Sequence, residues 1–131
     1  MQTQSIEIEG ISHPIILRYF ETLNAGEFEA TSQLFAIEGA MQPPFEQPII
    51  GREAITAYLQ KEAPGLTALP QAGTSHTTDQ NAIEFQITGR VQMPMFGVNV
   101  TWYFTLDSND QLMFTRIKLN ASPQELMKLR Q

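Results

Sequence analysis

The spacing of apolar residues changes midway along the chain, and this change limits the folds that the sequence can adopt. In the first half, apolar side chains recur at helical spacing, as Ile15, Tyr19 and Leu23 do. In the second half, apolar and polar residues alternate, as in "AIEFQITGRVQM" (residues 82–93) and "VNVTWYFTLD" (residues 98–107). The first spacing is typical of helices and the second of strands that bury one face. Helices followed by strands predict an α+β fold, in which the helices pack on one face of a sheet.

Three helices are predicted before the long strands begin. The first has Ser12 as a capping residue and Pro14 in its first turn, and it ends at Gly26, a residue that suits a helix C-terminus. The second covers "EFEATSQLF" (residues 27–35) and the third "REAITAYLQKEA" (residues 52–63).

A proline-rich stretch, "EGAMQPPFEQPIIG" (residues 38–51), separates the second and third helices. Proline lacks a backbone donor and fixes φ, so this stretch predicts a rigid extended loop with short strands at residues 40–42 and 48–50. A further strand, "LMFTRIKL" (residues 112–119), follows the alternating segments. We expect a curved antiparallel sheet with the helices on its concave side, which would make a cone with an apolar cavity. That arrangement is the nuclear-transport-factor-2-like fold, which hosts enzymes and binding proteins alike.

A single domain over residues 1–131 is expected, because this length suits one domain and a hydrophobic content of 42% suffices for one core. Its ends are predicted to be a polar, mobile N-terminal arm (residues 1–10) and a short C-terminal tail helix (residues 122–131). Ser122 is the expected capping residue of the tail helix.

The charge and the absence of cysteine exclude several functions. The formal net charge is −6, from 14 acidic and 8 basic residues, so the sequence lacks the basic face that nucleic acids require. Without cysteine, the chain can form no disulfide, thiol nucleophile or cysteine-based zinc site. The N-terminus has no signal-peptide pattern and no window is apolar enough to span a membrane, so we expect a water-soluble cytoplasmic protein.

The ionisable residues form no recognisable catalytic or metal site. Glu84 alternates outward, and His13 and His76 lack a metal-ligating pattern of neighbours. We therefore expect no catalytic residue and no metal, but an isomerase or epoxide-hydrolase type of enzyme on the same fold stays an alternative. An inward carboxylate near Tyr19 and Trp102 would favour that enzyme, whereas a fully packed interior would favour a protein-interaction module.

Tyr19 and Trp102 are the two principal candidate binding residues. Tyr19 lies in the inward stripe of the first helix, and Trp102, the one tryptophan of the chain, lies on the apolar face of a strand. A buried hydroxyl or indole N–H needs a hydrogen-bond partner, which is either a core backbone group or water, or the carbonyl of a ligand. The other residues expected to line the cavity are Leu23, Ala63, Leu66, Val91, Pro94, Met95, Phe104 and Ile117.

Several stretches of the sequence resemble one family. They are "IEIEGI", "RYFETLNAGEFEATSQLFAIEGAMQPPFEQPIIGREAI", "GRVQMPMFG", "TWYF" and "LNASPQELMKL". Together they resemble the C-terminal domain of the orange carotenoid protein of cyanobacterial photoprotection, and the likeness runs over nearly the whole chain. Because the helical N-terminal domain of that protein has no counterpart in this sequence, the chain is similar to the free-standing homologues of its C-terminal domain.

The resemblance implies a function and a binding mode. In that family, a tyrosine of the first helix and a tryptophan of a strand hydrogen-bond the keto oxygen of a carotenoid end ring, and these map onto Tyr19 and Trp102. The implied ligand is a ketocarotenoid of canthaxanthin or echinenone type, shared by a homodimer. The resemblance also implies transient membrane contact for pigment uptake, a helical carotenoid protein as acceptor, and photoprotection through singlet-oxygen quenching. The tail would lie near the tunnel mouth, as a lid or as a structural cap.

Two positions bear on how far the resemblance extends. Met95 stands where the family usually has a tryptophan that faces the helical domain, and Glu62 matches an acidic residue that pairs with that domain. Some free-standing relatives cross-link through cysteine, which this chain lacks. The implied homodimer is therefore non-covalent.

Overall fold

The structure, a computed structural model, describes residues 5–120, so the predicted tail helix (residues 122–131) lies outside the described residues. The bounds of its elements are α1 Pro14–Asn24, α2 Phe28–Ser32, β1 Phe35–Gln42, β2 Ile49–Ile50, α3 Arg52–Glu62, β3 Thr67–Thr77, β4 Ile83–Gln92, β5 Gly97–Leu106 and β6 Leu112–Leu119. Helices and short strands come first, and four longer strands follow where the sequence alternates. The predicted α+β class is confirmed.

The six strands form one sheet in the order β2-β1-β6-β5-β4-β3. Neighbouring strands are antiparallel except β1 and β6, which run parallel with Met41 opposite Thr115. The sheet is therefore mixed, and the prediction of a purely antiparallel sheet is wrong in this one pairing. Most of the chain lies between β1 and β6, so their pairing leaves no local signal in the sequence.

Two helix boundaries differ from those predicted. α2 ends at Ser32 and not at Phe35, because Phe35 begins β1 and pairs with β6. The N-terminus of α1 is capped by His13 and not by Ser12, since His13 Nδ1 accepts a hydrogen bond from the Ile15 backbone N–H at 3.2 Å. In the first case a long-range strand pairing overrides the helical spacing, and in the second a neighbouring side chain supplies the cap.

The core lies between α1 and one face of the sheet. Its largest side chains include Tyr19, Phe20, Trp102 and Phe104, each at most 2% exposed. Phe20 stands edge-on to Trp102 with ring centroids 4.8 Å apart, and Tyr19 stands edge-on to Phe104 at 5.0 Å. Aromatic pairs of this kind each contribute about 0.5–1.5 kcal/mol beyond the burial of their area. This interlocked cluster fixes α1, and with it Tyr19, against the sheet.

The described part of the N-terminal arm packs on the edge strand β3. Ile8 is buried, the Glu9 N–H donates to Gln71 O at 3.0 Å, and the Gly73 N–H donates to Glu9 O at 2.8 Å. Gly10 has φ of 86°, and a Cβ at this position would stand 2.3 Å from Gly73 O. Within the arm, which the sequence predicts to be mobile, Glu9 beside Gly10 thus hydrogen-bonds to the edge of the sheet.

Candidate functional site

A cavity of about 170 Å³ lies between α1, α3 and the sheet. Tyr19 and Trp102 both line it, and so do five of the other residues that the sequence nominates, namely Leu23, Ala63, Leu66, Val91 and Ile117. The wall is mostly hydrocarbon. Glu62 is exposed and also lines the cavity, so the cavity reaches the surface beside the end of α3.

The part of the cavity wall around Tyr19 and Trp102 is here called the inner wall. Its polar side-chain groups are the Tyr19 hydroxyl and the Trp102 indole N–H. Tyr19 is 1% exposed and Trp102 is 2% exposed. Within residues 5–120, neither the Tyr19 hydroxyl nor the Trp102 indole N–H takes part in a hydrogen bond. Loss of solvent raises the pKa of the Tyr19 hydroxyl well above its usual range, so the group stays protonated and can donate at neutral pH.

The fold holds these two donors on separate elements. Tyr19 comes from α1, where the ring is wedged against Phe35 and Phe104 with centroids 6.4 Å and 5.0 Å away. Trp102 comes from the middle of β5, with Ile87 opposite on β4 and Ile117 opposite on β6. Central strands are fixed by hydrogen bonds on both edges, so the indole is held as firmly as the sheet itself.

Three nominated residues lie away from the cavity wall. Phe104 is buried, but it packs behind Tyr19 in the aromatic cluster. Pro94 and Met95 lie at the turn between β4 and β5, where both are exposed, Met95 to 90%. Pro94 and Met95 were predicted to line the cavity because they are apolar. The hairpin turn that carries them extends beyond the part of the sheet that forms the cavity.

Several lining residues were not predicted from the sequence. Those on the sheet and on α3 are Met41, Tyr58, Leu59, Glu62, Ala68, Val98, Val100 and Leu119. Val98 and Val100 share the alternating face of Trp102, so the strand pattern was a sufficient signal for them. Pro43 and Pro44 also line the cavity, and no periodic pattern identifies residues of an irregular loop.

The mouth of the cavity is formed in part by residues 43–48, here called the mouth loop, and in part by α3. Tyr58 of α3 lines the cavity and donates its hydroxyl to Glu46 Oε2 at 3.0 Å. Partial burial, and then the carboxylates of Glu46 and Glu62, raise the pKa of Tyr58. The polar groups of the mouth therefore pair with each other, whereas the Tyr19 hydroxyl and the Trp102 indole N–H have no partner within residues 5–120.

The other ionisable groups of residues 5–120 lie away from the cavity. His76 Nε2 is 2.9 Å from Glu84 Oε1, and His13 Nε2 is 3.5 Å from Asp110 Oδ1. Across the described ranges, no group of three or more potential metal ligands is found. The carboxylate at the described cavity wall is that of Glu62 at the mouth, and the inner wall beside Tyr19 and Trp102 presents none. Among residues 5–120, none of the helices combines the length and the apolar character needed to cross a bilayer.

An open α+β cone with an apolar cavity and two inward donors is the architecture of a small ligand-binding or enzymatic domain. Residues 12–116 match the family described as the nuclear transport factor 2 (NTF2) domain. The chain belongs to the NTF2 domain family.

Within this family, the chain is similar to the C-terminal region of orange carotenoid-binding proteins. It is 37% identical to the protein of Limnospira maxima, over 98% of this chain and 42% of that protein. It is 35% identical to the protein of Synechocystis sp., over 93% of this chain and 40% of that protein. The chain thus spans about two fifths of the length of these relatives, and the resemblance noted in the sequence is confirmed.

The structure of the orange carotenoid protein of an Anabaena (Nostoc) species, which binds canthaxanthin, superposes on this chain with a TM-score of 0.88 at 37% identity. The match covers 97% of this chain and 42% of that protein. A less similar structure is that of an epoxide hydrolase/cyclase-like enzyme, with a TM-score of 0.62 at 17% identity. At that identity the likeness shows a common fold alone.

Proposed function

We propose that this protein binds a ketocarotenoid of canthaxanthin or echinenone type and transfers it to another protein. The observation that carries the proposal is the pair of buried donors, Tyr19 and Trp102, which face an apolar cavity and have no hydrogen-bond partner within residues 5–120. A carotenoid ring has one polar handle, the keto oxygen, and two donors on one oxygen would fix its orientation. The polyene would gain affinity from the area that it buries.

The size of the cavity supports binding of one end of such a ligand. Pockets that enclose a drug-sized molecule have volumes of about 300–1,000 Å³, whereas this one has about 170 Å³. It has room for an end ring and leaves the polyene to extend through the mouth. The apolar wall residues, among them Leu66, Val91 and Ile117, suit a hydrocarbon ring and offer no competing polar group.

A non-covalent homodimer that shares one carotenoid follows from the length of the ligand. A domain of 131 residues has a radius of gyration of about 14 Å, so a forty-carbon polyene is nearly as long as the domain is wide. Exposed polyene costs about 25 cal/mol per Å² in water, and a second copy can cover the other half. A two-fold dimer suits a ligand with two similar ends.

The remaining parts of the proposal concern the route of the pigment. Uptake requires transient contact with a membrane, because carotenoids dissolve in the bilayer core. We assign delivery to a helical carotenoid protein as acceptor, and a photoprotective role through singlet-oxygen quenching to the bound pigment. These steps rest on the similarity to orange carotenoid-binding proteins.

We propose binding in preference to the two alternatives. An isomerase or epoxide-hydrolase type of enzyme would need an inward carboxylate beside the ligand, and the carboxylate at the described cavity wall is Glu62, exposed at the mouth. A protein-interaction module would need no internal space, and this interior holds a cavity. Neither alternative accounts for two donors that face hydrocarbon and have no partner within residues 5–120.

The test is production of the protein in cells that make ketocarotenoids. We expect visible absorbance that stays with the protein through gel filtration. Light scattering should give the mass of a dimer, and the absorbance should give one pigment for every two chains. A colourless protein would contradict carotenoid binding. A coloured monomer with one pigment per chain would contradict the shared dimer and leave binding itself supported.

A further inference from the structure

The mouth loop separates the cavity from a groove on the surface. Pro43 and Pro44 line both the cavity and the groove, and so do Ile117 and Leu119 of β6. The groove also has Lys118 at its wall. A displacement of the loop would therefore join the two spaces into one longer channel that is open to solvent.

Few hydrogen bonds hold the mouth loop in this position, and its packing is concentrated at Pro43, which is buried. Its prolines have no N–H to donate, and strand pairing with β1 resumes only at Ile49. The Glu46 N–H donates to Pro43 O at 3.3 Å, and Gln42 Nε2 donates to Glu46 O at 3.1 Å, but both bonds are local. Within residues 5–120, the hydrogen bond from Tyr58 to Glu46 is the one that ties the loop to an element distant in the sequence.

The tip of the loop is strained. Phe45 has φ of 64°, in the left-handed region that bulky side chains avoid, and its ring is 85% exposed. No burial compensates this backbone conformation, so the neighbouring contacts must hold it. A strained loop that one side-chain hydrogen bond ties to the distant helix α3 needs little free energy to change the conformation of its exposed tip.

We propose that the mouth loop is a ligand-access gate, and that the hydrogen bond between Tyr58 and Glu46 is its latch. With the latch formed, Pro43 and Pro44 close one side of the cavity. With the latch broken, the loop moves away and the cavity joins the surface groove, so that a bulky ring can enter or leave. The carotenoid as the cargo of this gate rests on the proposed function, whereas the gate itself does not.

The fluorescence of Trp102 measures access to the cavity without any pigment. It is the one tryptophan of the chain, it is 2% exposed, and it lines the cavity. Acrylamide, a small neutral quencher, reaches it only when the mouth admits a molecule from solvent. The bimolecular quenching constant of the empty protein therefore reports how often the gate opens.

Removing either partner of the latch should raise the bimolecular quenching constant of Trp102. We expect Tyr58→Phe and Glu46→Ala each to raise it about threefold to tenfold, the factor that one lost hydrogen bond represents. The double variant should have a quenching constant close to that of either single variant. Glu46→Gln keeps an acceptor oxygen, so its constant should lie between those of the parent and of Glu46→Ala. The matched control is Tyr103→Phe, whose ring lies outside the cavity near Arg116. Unchanged quenching in both Tyr58→Phe and Glu46→Ala overturns the gate.

A reversible cross-link tests the same gate in the opposite direction. Because the chain contains no cysteine, the pair Glu46→Cys and Tyr58→Cys can be joined selectively by a bifunctional thiol reagent with a cleavable centre. We expect quenching to fall below that of the parent protein after cross-linking and to rise again after cleavage. Quenching that is the same before and after cleavage overturns the gate.

Exchange of canthaxanthin between vesicles and the protein then separates the two proposals. If quenching responds to the latch variants but no variant and no parent protein takes up canthaxanthin, the gate stands and the proposed function fails. If the parent takes up canthaxanthin and its rates of uptake and release are unaltered by Tyr58→Phe and by the cross-link, the gate fails and the proposed function stands.

Discussion

The inner wall and the mouth of the cavity differ in how their polar groups are buried and hydrogen-bonded. At the inner wall, Tyr19 and Trp102 are almost completely buried, fixed by neighbouring rings, and without hydrogen-bond partners within residues 5–120. At the mouth, Tyr58 and Glu46 are accessible to water and bond to each other. Within the described part of the chain, the donors of the inner wall thus have no partner and their rings are tightly packed, whereas the polar groups of the mouth pair with each other at the surface.

This difference assigns separate tasks to the two regions. Donors that stay unpaired in a rigid wall keep their hydrogen-bonding capacity for a ligand, at the cost of an unfavourable empty state. Polar groups that pair with each other at an exposed mouth add little stability and can exchange with water at little cost. In our proposals, the inner wall therefore recognises the ligand, and the mouth sets its rate of entry and exit.

The largest expected difference between the two regions is in stability. Phe20 is fully buried and stands edge-on to Tyr19, Trp102 and Phe104, so Phe20→Ala should lower the free energy of unfolding by about 3–5 kcal/mol. Phe45, at the mouth, is 85% exposed, and Phe45→Ala should change it by no more than about 0.5 kcal/mol. Urea denaturation of both variants measures the contrast. Equal losses would show that the mouth loop is part of the rigid core.

Alkaline pH should distinguish the two tyrosines. Burial raises the pKa of Tyr19, so in the folded protein it keeps its proton above pH of about 10, where an unfolded chain loses it. The unfolded state then binds fewer protons, so this contribution to stability is complete below pH of about 10 and is lost as the pH rises.

We expect the stability of the parent protein to fall above pH of about 10 by up to about 1.4 kcal/mol per pH unit for this one group. Tyr19→Phe should reduce that slope. Tyr58→Phe should reduce it less, because solvent reaches the half-buried Tyr58 and screens its interactions. Urea denaturation at several pH values measures these slopes, and a larger effect of Tyr58→Phe would reverse the assignment of the two regions.

A smaller effect concerns a buried hydroxyl that does not face the cavity. Thr115 Oγ1 is buried and has no hydrogen-bond partner within the part of the chain that the structure describes. Thr115→Val should therefore raise the free energy of unfolding by about 1 kcal/mol, because it removes an unsatisfied group and preserves shape. Thermal denaturation checks the sign.

The matched control is Thr22→Val, which should lower stability by about the same amount. The Thr22 hydroxyl is 2.7 Å from the Thr31 hydroxyl and donates to Arg18 O at 2.9 Å. Destabilisation by both variants would contradict the assignment of Thr115 as an unsatisfied group.

The parts of the fold that depend on local spacing were predictable from the sequence. The strand at residues 112–119 was predicted with the bounds that β6 has, and α3 was predicted to within one residue. The start of β1 at Phe35 and its parallel pairing with β6 were not predictable. They depend on contacts between distant segments, and local propensity carries no information about such contacts.

The cavity residues that lie on regular elements were likewise predictable from the sequence, whereas those in loops and turns were not. Tyr19 and Trp102 were found because regular elements fix the direction of their side chains, by period 3.6 in α1 and by alternation in β5. Met95 was placed in the cavity and lies at an exposed turn, and Pro43 was overlooked and lines the cavity. Both lie outside regular elements, where residue type does not determine direction.

The most direct test of this account is the choice between canthaxanthin and β-carotene, which has the same carbon skeleton without the keto oxygens. Vesicles that carry both pigments are offered to the protein, and the bound pigments are separated and quantified. The account predicts that the parent prefers canthaxanthin by about tenfold or more, and that Tyr19→Phe and Trp102→Phe each reduce the preference about threefold to tenfold. Tyr58→Phe, at the mouth, should alter the rate of loading and keep the preference. A parent protein that loads both pigments equally, or a preference that survives in both inner-wall variants, would contradict the assignment of recognition to Tyr19 and Trp102.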